Sequence, residues 1–151
     1  MQKKEYNDFE NLSDNQSVDD FRFNTNYQEK YDGFSIKGKK SGYGHLYYLN
    51  GSLHSAGTFH NDKLEGTHIT YYYPNSDIVS FEGEMQDGIR SGHGKEYYKT
   101  GAIMYEGFFK NDEWHGNEVK IYHYDGELEY EGQIYRGMRE GYGRAYYDDG
   151  R

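Results

Sequence analysis

The side chains best equipped for chemistry are seven histidines and a recurring glutamate. The histidines are His45, His54, His60, His68, His93, His115 and His123; the glutamates, Glu82, Glu106 and Glu131, each stand directly before a glycine. Histidines can ligate a metal or carry protons, and paired carboxylates can act as acid and base. The spacing argues against both. Measured from Gly42, Gly66, Gly92 and Gly116, the residues His45, His68, His93 and His115 stand at +3, +2, +1 and −1, a drift that predicts alternating faces and no shared pocket. No His-x-x-x-His pair occurs, and the glutamates share one strand position, which marks them as sheet-face residues. The chain has no Cys, so disulfides, thiolate metal sites and a cysteine nucleophile are excluded. Phosphate-loop, nucleophile-elbow and calcium-loop patterns are also missing. The expectation is a non-enzymatic protein with no catalytic residue, no metal and no cofactor.

The elements that carry these residues repeat. Gly33, Gly57, Gly83, Gly107 and Gly132 follow one another at spacings of 24, 26, 24 and 25, and a second glycine comes nine residues after each: Gly42, Gly66, Gly92, Gly116 and Gly141. Each unit reads as a β-hairpin. Large residues flank the first glycine at period two, as in Phe81-Gly83-Met85, Tyr105-Gly107-Phe109 and Tyr130-Gly132-Ile134. A tight turn follows at Asn61-Asp62, Asp87-Gly88, Asn111-Asp112 and Arg136-Gly137, pairs that accept positive φ. The second strand runs to an aromatic cluster such as Tyr47-Tyr48 or Tyr97-Tyr98. No window holds a helical apolar stripe, and each Gly would cost a helix about 1 kcal/mol. The prediction is an all-β fold: an elongated single antiparallel sheet of consecutive hairpins, about ten strands, in units 31–54, 55–80, 81–104, 105–129 and 130–151.

Both glycine sets are expected to be structural. A missing Cβ leaves room for a ring from a neighbouring strand to lie flat on the backbone, with a simple bend or bulge as the other reading. Ile, Leu, Val and Phe number only 24 against 19 Tyr and 20 Gly, at a net charge of −9, so the core must be aromatic. Residues 1–20 read as a disordered acidic tail, and residues 21–30, with Phe23 ten residues before Gly33, as a capping strand. No apolar run resembles a signal peptide or a membrane span, so the expected location is the cytoplasm, with attachment to the cytoskeleton or a membrane left open. The strand edge at Arg144–Tyr147 leaves three readings, a homodimer, a fragment of a longer array, or an edge guarded by Arg144, Asp148 and Asp149, and the expectation is self-association as a homodimer.

"YEGFFKNDEWHG", with "GHGKEYYKTG", "GYGHLYYLNG" and "GYGRAYYDDG", resembles the MORN repeat (membrane occupation and recognition nexus). That unit runs Tyr-Glu-Gly-x-aromatic, a polar turn, His-Gly-x-Gly, Tyr, then Asp-Gly. The second unit departs from it, with "SAGTF" for Tyr-Glu-Gly and His68 at the Gly-x-Gly position; the fourth has Glu118 there and one extra residue before Gly126. The resemblance implies an array of hairpins, dimers in several members, and acidic phospholipid binding in some.

Charge narrows the partners. Residues 31–151 carry 13 Lys and Arg against 19 Asp and Glu with no basic stripe, which excludes nucleic acid. A phospholipid surface would be met by Lys37, Lys39 and Lys40, but the net charge opposes it. The favoured reading is a scaffold that binds a helix or extended segment of another protein, basic to suit the charge, along a Tyr-rich face. Its candidate contacts are Trp114, Tyr48, Tyr72, Tyr98, Tyr124 and Tyr147. For Trp114 the competing reading is a local brace on its hairpin.

Overall fold

A computed structural model describes residues 30–147. The predicted tail, 21–29 of the capping strand, and Asp148 and Asp149 lie outside the described residues. Eleven strands form one open antiparallel sheet: β1 (Lys30–Ile36), β2 (Lys39–Tyr47), β3 (Leu53–His60), β4 (Lys63–Leu64), β5 (Gly66–Tyr72), β6 (Val79–Gln86), β7 (Ile89–Tyr97), β8 (Ile103–Lys110), β9 (Glu113–Tyr122), β10 (Leu128–Tyr135) and β11 (Met138–Ala145). Each pairs with its sequence neighbour, except that β4 and β5 both pair with β3. Those two are one strand broken at Glu65, so the ten expected strands are present. At about 4.8 Å per strand the sheet is roughly 45 Å across.

Local chemistry explains the hairpins. All five tight turns have positive φ at both central residues, including Lys37-Gly38 (φ 52 and 79), the twist that suits a two-residue hairpin. The turns between units close over three residues, with Gly51, Gly101 and Gly126 left-handed and Tyr48 N–H donating to Ser52 O as the closing bond of the first. Unit 55–80 has no glycine there. Its loop lengthens by one residue and closes at Tyr73 N–H to Ile78 O, with Asn75 supplying the positive φ.

A row of small residues crosses the sheet. Gly33 faces Gly44, which faces Gly57; Gly83, Gly94 and Gly107 face one another in turn; Gly132 faces Gly143. Rings lie on this row. A Cβ on Gly94 would stand 2.8 Å from the Phe81 ring and 3.1 Å from that of Phe109, and a Cβ on Gly44 would stand 2.7 Å from the Tyr31 ring. The expected cover is therefore present, but its origin differs. Tyr31, Phe81, Tyr105 and Tyr130 each stand two residues before a glycine on the same strand, and Phe109 adds to the cover of Gly94 from the next strand. Around these rings Phe59, Leu64, Ile69, Met85, Val119, Ile121 and Ile134 complete the buried core.

The second glycines have a different role. Gly42 and Gly141, at φ 79 and 70, sit where the register shifts past a bulge. In β5 and β9 the bulge takes one residue more. As a result Ile69 and Val119, and not His68 and Glu118, occupy the glycine row opposite Gly83 and Gly132. This corrects the sequence alignment and accounts for the uneven unit lengths. The fourth unit is one residue longer because of its bulge, the second two residues longer because of its bulge and its loop.

A charge ladder and groove on the open face

Opposite the covered face, a second row crosses the sheet. In register it reads Asp32, His45, Ala56, Thr70, Glu82, Lys95, Glu106, Lys120, Glu131, Arg144. From Glu82 onward, acid and base alternate on every strand, the arrangement in which directly opposed charges stabilise a sheet. The sequence places an acid just before the first glycine and a base thirteen residues later, fourteen where the bulge adds one. That interval was the available signal, and reading the glutamates alone missed it.

Tyrosines from the first position of each pair fix the acids. Tyr97 donates to Glu82 at 2.5 Å and Tyr146 to Glu131 at 2.7 Å. Burial, then the bond to Glu82, raises the Tyr97 hydroxyl above the ordinary tyrosine range; burial, then Glu106, does the same for Tyr122. Lys95 and Lys120 differ. Among the described residues neither closes an ion pair with a carboxylate.

A shallow groove of about 490 Å³ is centred on this ladder. Its floor is Gly83, Gly94 and Gly107 with Glu82, Lys95, Glu106 and Lys120; the bulges wall it with Thr67 and His68 on one side and Glu118 on the other, and His93 lines it as well. His68 and His93 thus share a groove, against the expectation of no shared pocket. His45, His93 and His115 fall on this one face: His45 faces Asp32 across the ladder, and His93 and His115 both pair with Phe108. His54 is buried between Tyr48 and Tyr71. Exposed rings border the groove's face: Phe108, packed on His93 at 4.8 Å, and further out Tyr43, Tyr135 and Tyr142.

The candidate contacts are divided by this arrangement. Tyr72 lies on the open face, half-buried. Tyr98 is occupied, donating to Tyr122 O at 2.7 Å, and Tyr48 packs on buried His54. Tyr124 and Tyr147 are exposed at the loop end. Trp114 is in strand β9 on the covered face, stacked on Tyr105 at 4.4 Å and 4° and donating to Glu96 at 2.8 Å. It braces its hairpin, as the competing reading had it. Its position repeats: nine residues after Tyr31, Phe81, Tyr105 and Tyr130 come Lys40, Arg90, Trp114 and Arg139, each over its ring. The proposed lipid-facing cluster is split by the same rule. Lys37 and Lys39 are exposed, whereas Lys40 lies on Tyr31 and pairs with Asp62 at 3.7 Å.

Comparison with known proteins agrees with this division of units. The MORN repeat family model matches residues 31–53, 81–103, 105–117 and 130–150, more than half of the chain. No curated protein matches the chain. The unmatched unit, 55–80, is the one whose ring is replaced by Ser55 and whose row glycine is replaced by Ile69, and the match to the fourth unit, 105–117, stops within the β9 bulge. Hairpin, covered glycine row and matched segments coincide, and the chain belongs to the MORN repeat family.

Proposed function

We propose that this protein is a non-enzymatic interaction scaffold that holds a segment of another protein in the groove on the ladder face. A MORN array is a repeat-based interaction or membrane-associated module, and one observation carries the choice of face. The covered face is closed by its own residues, with Tyr105 and Phe109 at 0% and 1% exposure, while the ladder face keeps an open groove bordered by Phe108 at 42%. Exposed rings beside fixed charges are what interface anchors consist of. The membrane reading draws less support, because the basic cluster at the first turn has given Lys40 to the core face.

Capture from a lysate of the source cells tests this, with the full chain compared against a Phe108→Ser, Lys120→Glu variant of unchanged melting temperature. Proteins held by the wild type should be lost from the variant. An unchanged set of captured proteins would move the interface elsewhere. Co-sedimentation with phosphatidylinositol-phosphate liposomes at physiological salt, abolished by Lys37→Ala, Lys39→Ala and Lys40→Ala, would replace the scaffold reading with a membrane one.

A further inference from the structure

We infer that the occupant of the groove is an α-helix lying across the strands, carrying alternating positive and negative side chains in register with Glu82, Lys95, Glu106 and Lys120. The inference rests on the scaffold reading above and specifies the chemistry of its partner.

Three observations lead there. The first is the step of the ladder: these four charges occupy neighbouring strands β6 to β9, so sign alternates about every 4.8 Å. A helix rises about 1.5 Å per residue, so positions i, i+3, i+7 and i+10 fall on one face at steps of about 4.5–6 Å and stay in phase along the ladder. An extended segment repeats on one face only every 6.6–6.8 Å or so, and it is out of phase by the third charge.

The second is the length. The bulges at Thr67-His68 and Asn117-Glu118 mark the ends of the groove, on β5 and β9. Four strand steps give about 19 Å, or about 13 helical residues. Bulges re-aim side chains at binding sites, and both lie in the two units that depart from the glycine pattern. The groove is therefore the product of those departures.

The third is the state of the charges. Glu82 already accepts from Tyr97 at 2.5 Å, which holds that acid in place, and Glu106 stands in register between Lys95 and Lys120. Lys95 and Lys120 close no ion pair among the described residues, although each is flanked in register by two acids. Two lysines on strands about 9.6 Å apart, with Glu106 in register between them, present a pattern that a uniformly basic segment cannot match.

The test uses synthetic alanine-based helices of about 14 residues binding the full chain, followed by anisotropy of a labelled end. One carries Lys, Glu, Lys, Glu at i, i+3, i+7 and i+10; a second carries the same four residues as Lys, Lys, Glu, Glu; a third carries four Lys. The alternating helix should bind about tenfold tighter than the blocked one, and the double reversal Lys95→Glu, Lys120→Glu should remove that preference. Equal binding of alternating and blocked helices would overturn the ladder register and leave the groove as a site. Tightest binding of the all-Lys helix would overturn it in favour of a plainly basic partner. Failure of all three to bind, beside successful capture of a protein by the wild-type chain, would overturn the helical occupant while sparing the scaffold reading.

Discussion

At the scale of the residue, one position repays close inspection. In four of the five units the ring two before the first glycine is capped by the residue nine later, and that cap is a cation in three of them and an indole in one. Arg90 shows what the cation does: its guanidinium lies 4.8 Å from the Phe109 ring and 5.5 Å from Phe81, and it pairs with Glu96 and Asp112 at 3.3 and 3.2 Å. Trp114 holds the equivalent place by stacking, and its indole N–H binds the same Glu96. Trp114→Ala should therefore lower stability by about 3 kcal/mol, the lower part of the range for aromatic truncation because the side chain is half-buried. Trp114→Arg restores the cap used by its neighbours and should cost about half as much, through cation–π contact with Tyr105 and a charged bond to Glu96. Urea denaturation of both variants measures the difference. Equal losses would mean that the volume of the indole matters and its capping position does not. The nine-residue interval was visible in the sequence all along; it was missed because Lys, Arg and Trp share no side-chain class, only a flat or cationic body able to lie on a ring.

At the scale of the element, the second unit shows how a hairpin survives the loss of its own pattern. Ser55, fully buried, stands where other units place a ring, and the uncovered Gly57 is instead covered by Ile69, whose Cδ1 would stand 2.6 Å from an added Cβ. Ring and row glycine were exchanged together, so the two positions should be coupled. Ile69→Gly should cost about 3–4 kcal/mol by opening a cavity, and Ser55→Tyr about 1–3 kcal/mol by overpacking against Ile69. The double variant should recover about 1–3 kcal/mol of the sum. Additive losses in the thermodynamic cycle would show that the substitutions are independent. Hairpins, turns and glycines were legible in the sequence because a two-residue turn and a period-two strand are local. Strand register was not. A one-residue bulge at His68 or Glu118 leaves local composition unchanged yet decides which side chain joins the glycine row and which walls the groove. The same gap misplaced the histidines and put Trp114 among exposed contacts, since facing direction follows from register.

At the scale of the whole molecule, the tyrosines tie the hairpins into one cooperative body. Tyr73 donates to Tyr97 O and Tyr98 to Tyr122 O, each bond reaching 24 residues ahead into the next unit. A hairpin alone is marginal, so stability arises between neighbours. The ionisation of these hydroxyls is linked to folding. Burial raises Tyr72 and Tyr98; burial, with Glu82, raises Tyr97; burial pushes Tyr105 up to about 12; and the bond to Glu131 raises Tyr146. A folded pKa above the unfolded value of 10.0 means that the unfolded chain releases its protons first. This contribution is complete below pH 10 and is lost as pH climbs through 10 toward 12 and beyond. Alkali should therefore act on the array as a denaturant. Near-ultraviolet tyrosinate absorbance should lag behind that of free tyrosine above pH 10, then rise together with the loss of the β-sheet circular dichroism signal. A single titration at the free-tyrosine pKa with the sheet signal unchanged would show that the buried hydroxyls do not hold neighbouring units together. A late rise that spreads over several steps of circular dichroism would show that the units melt one at a time.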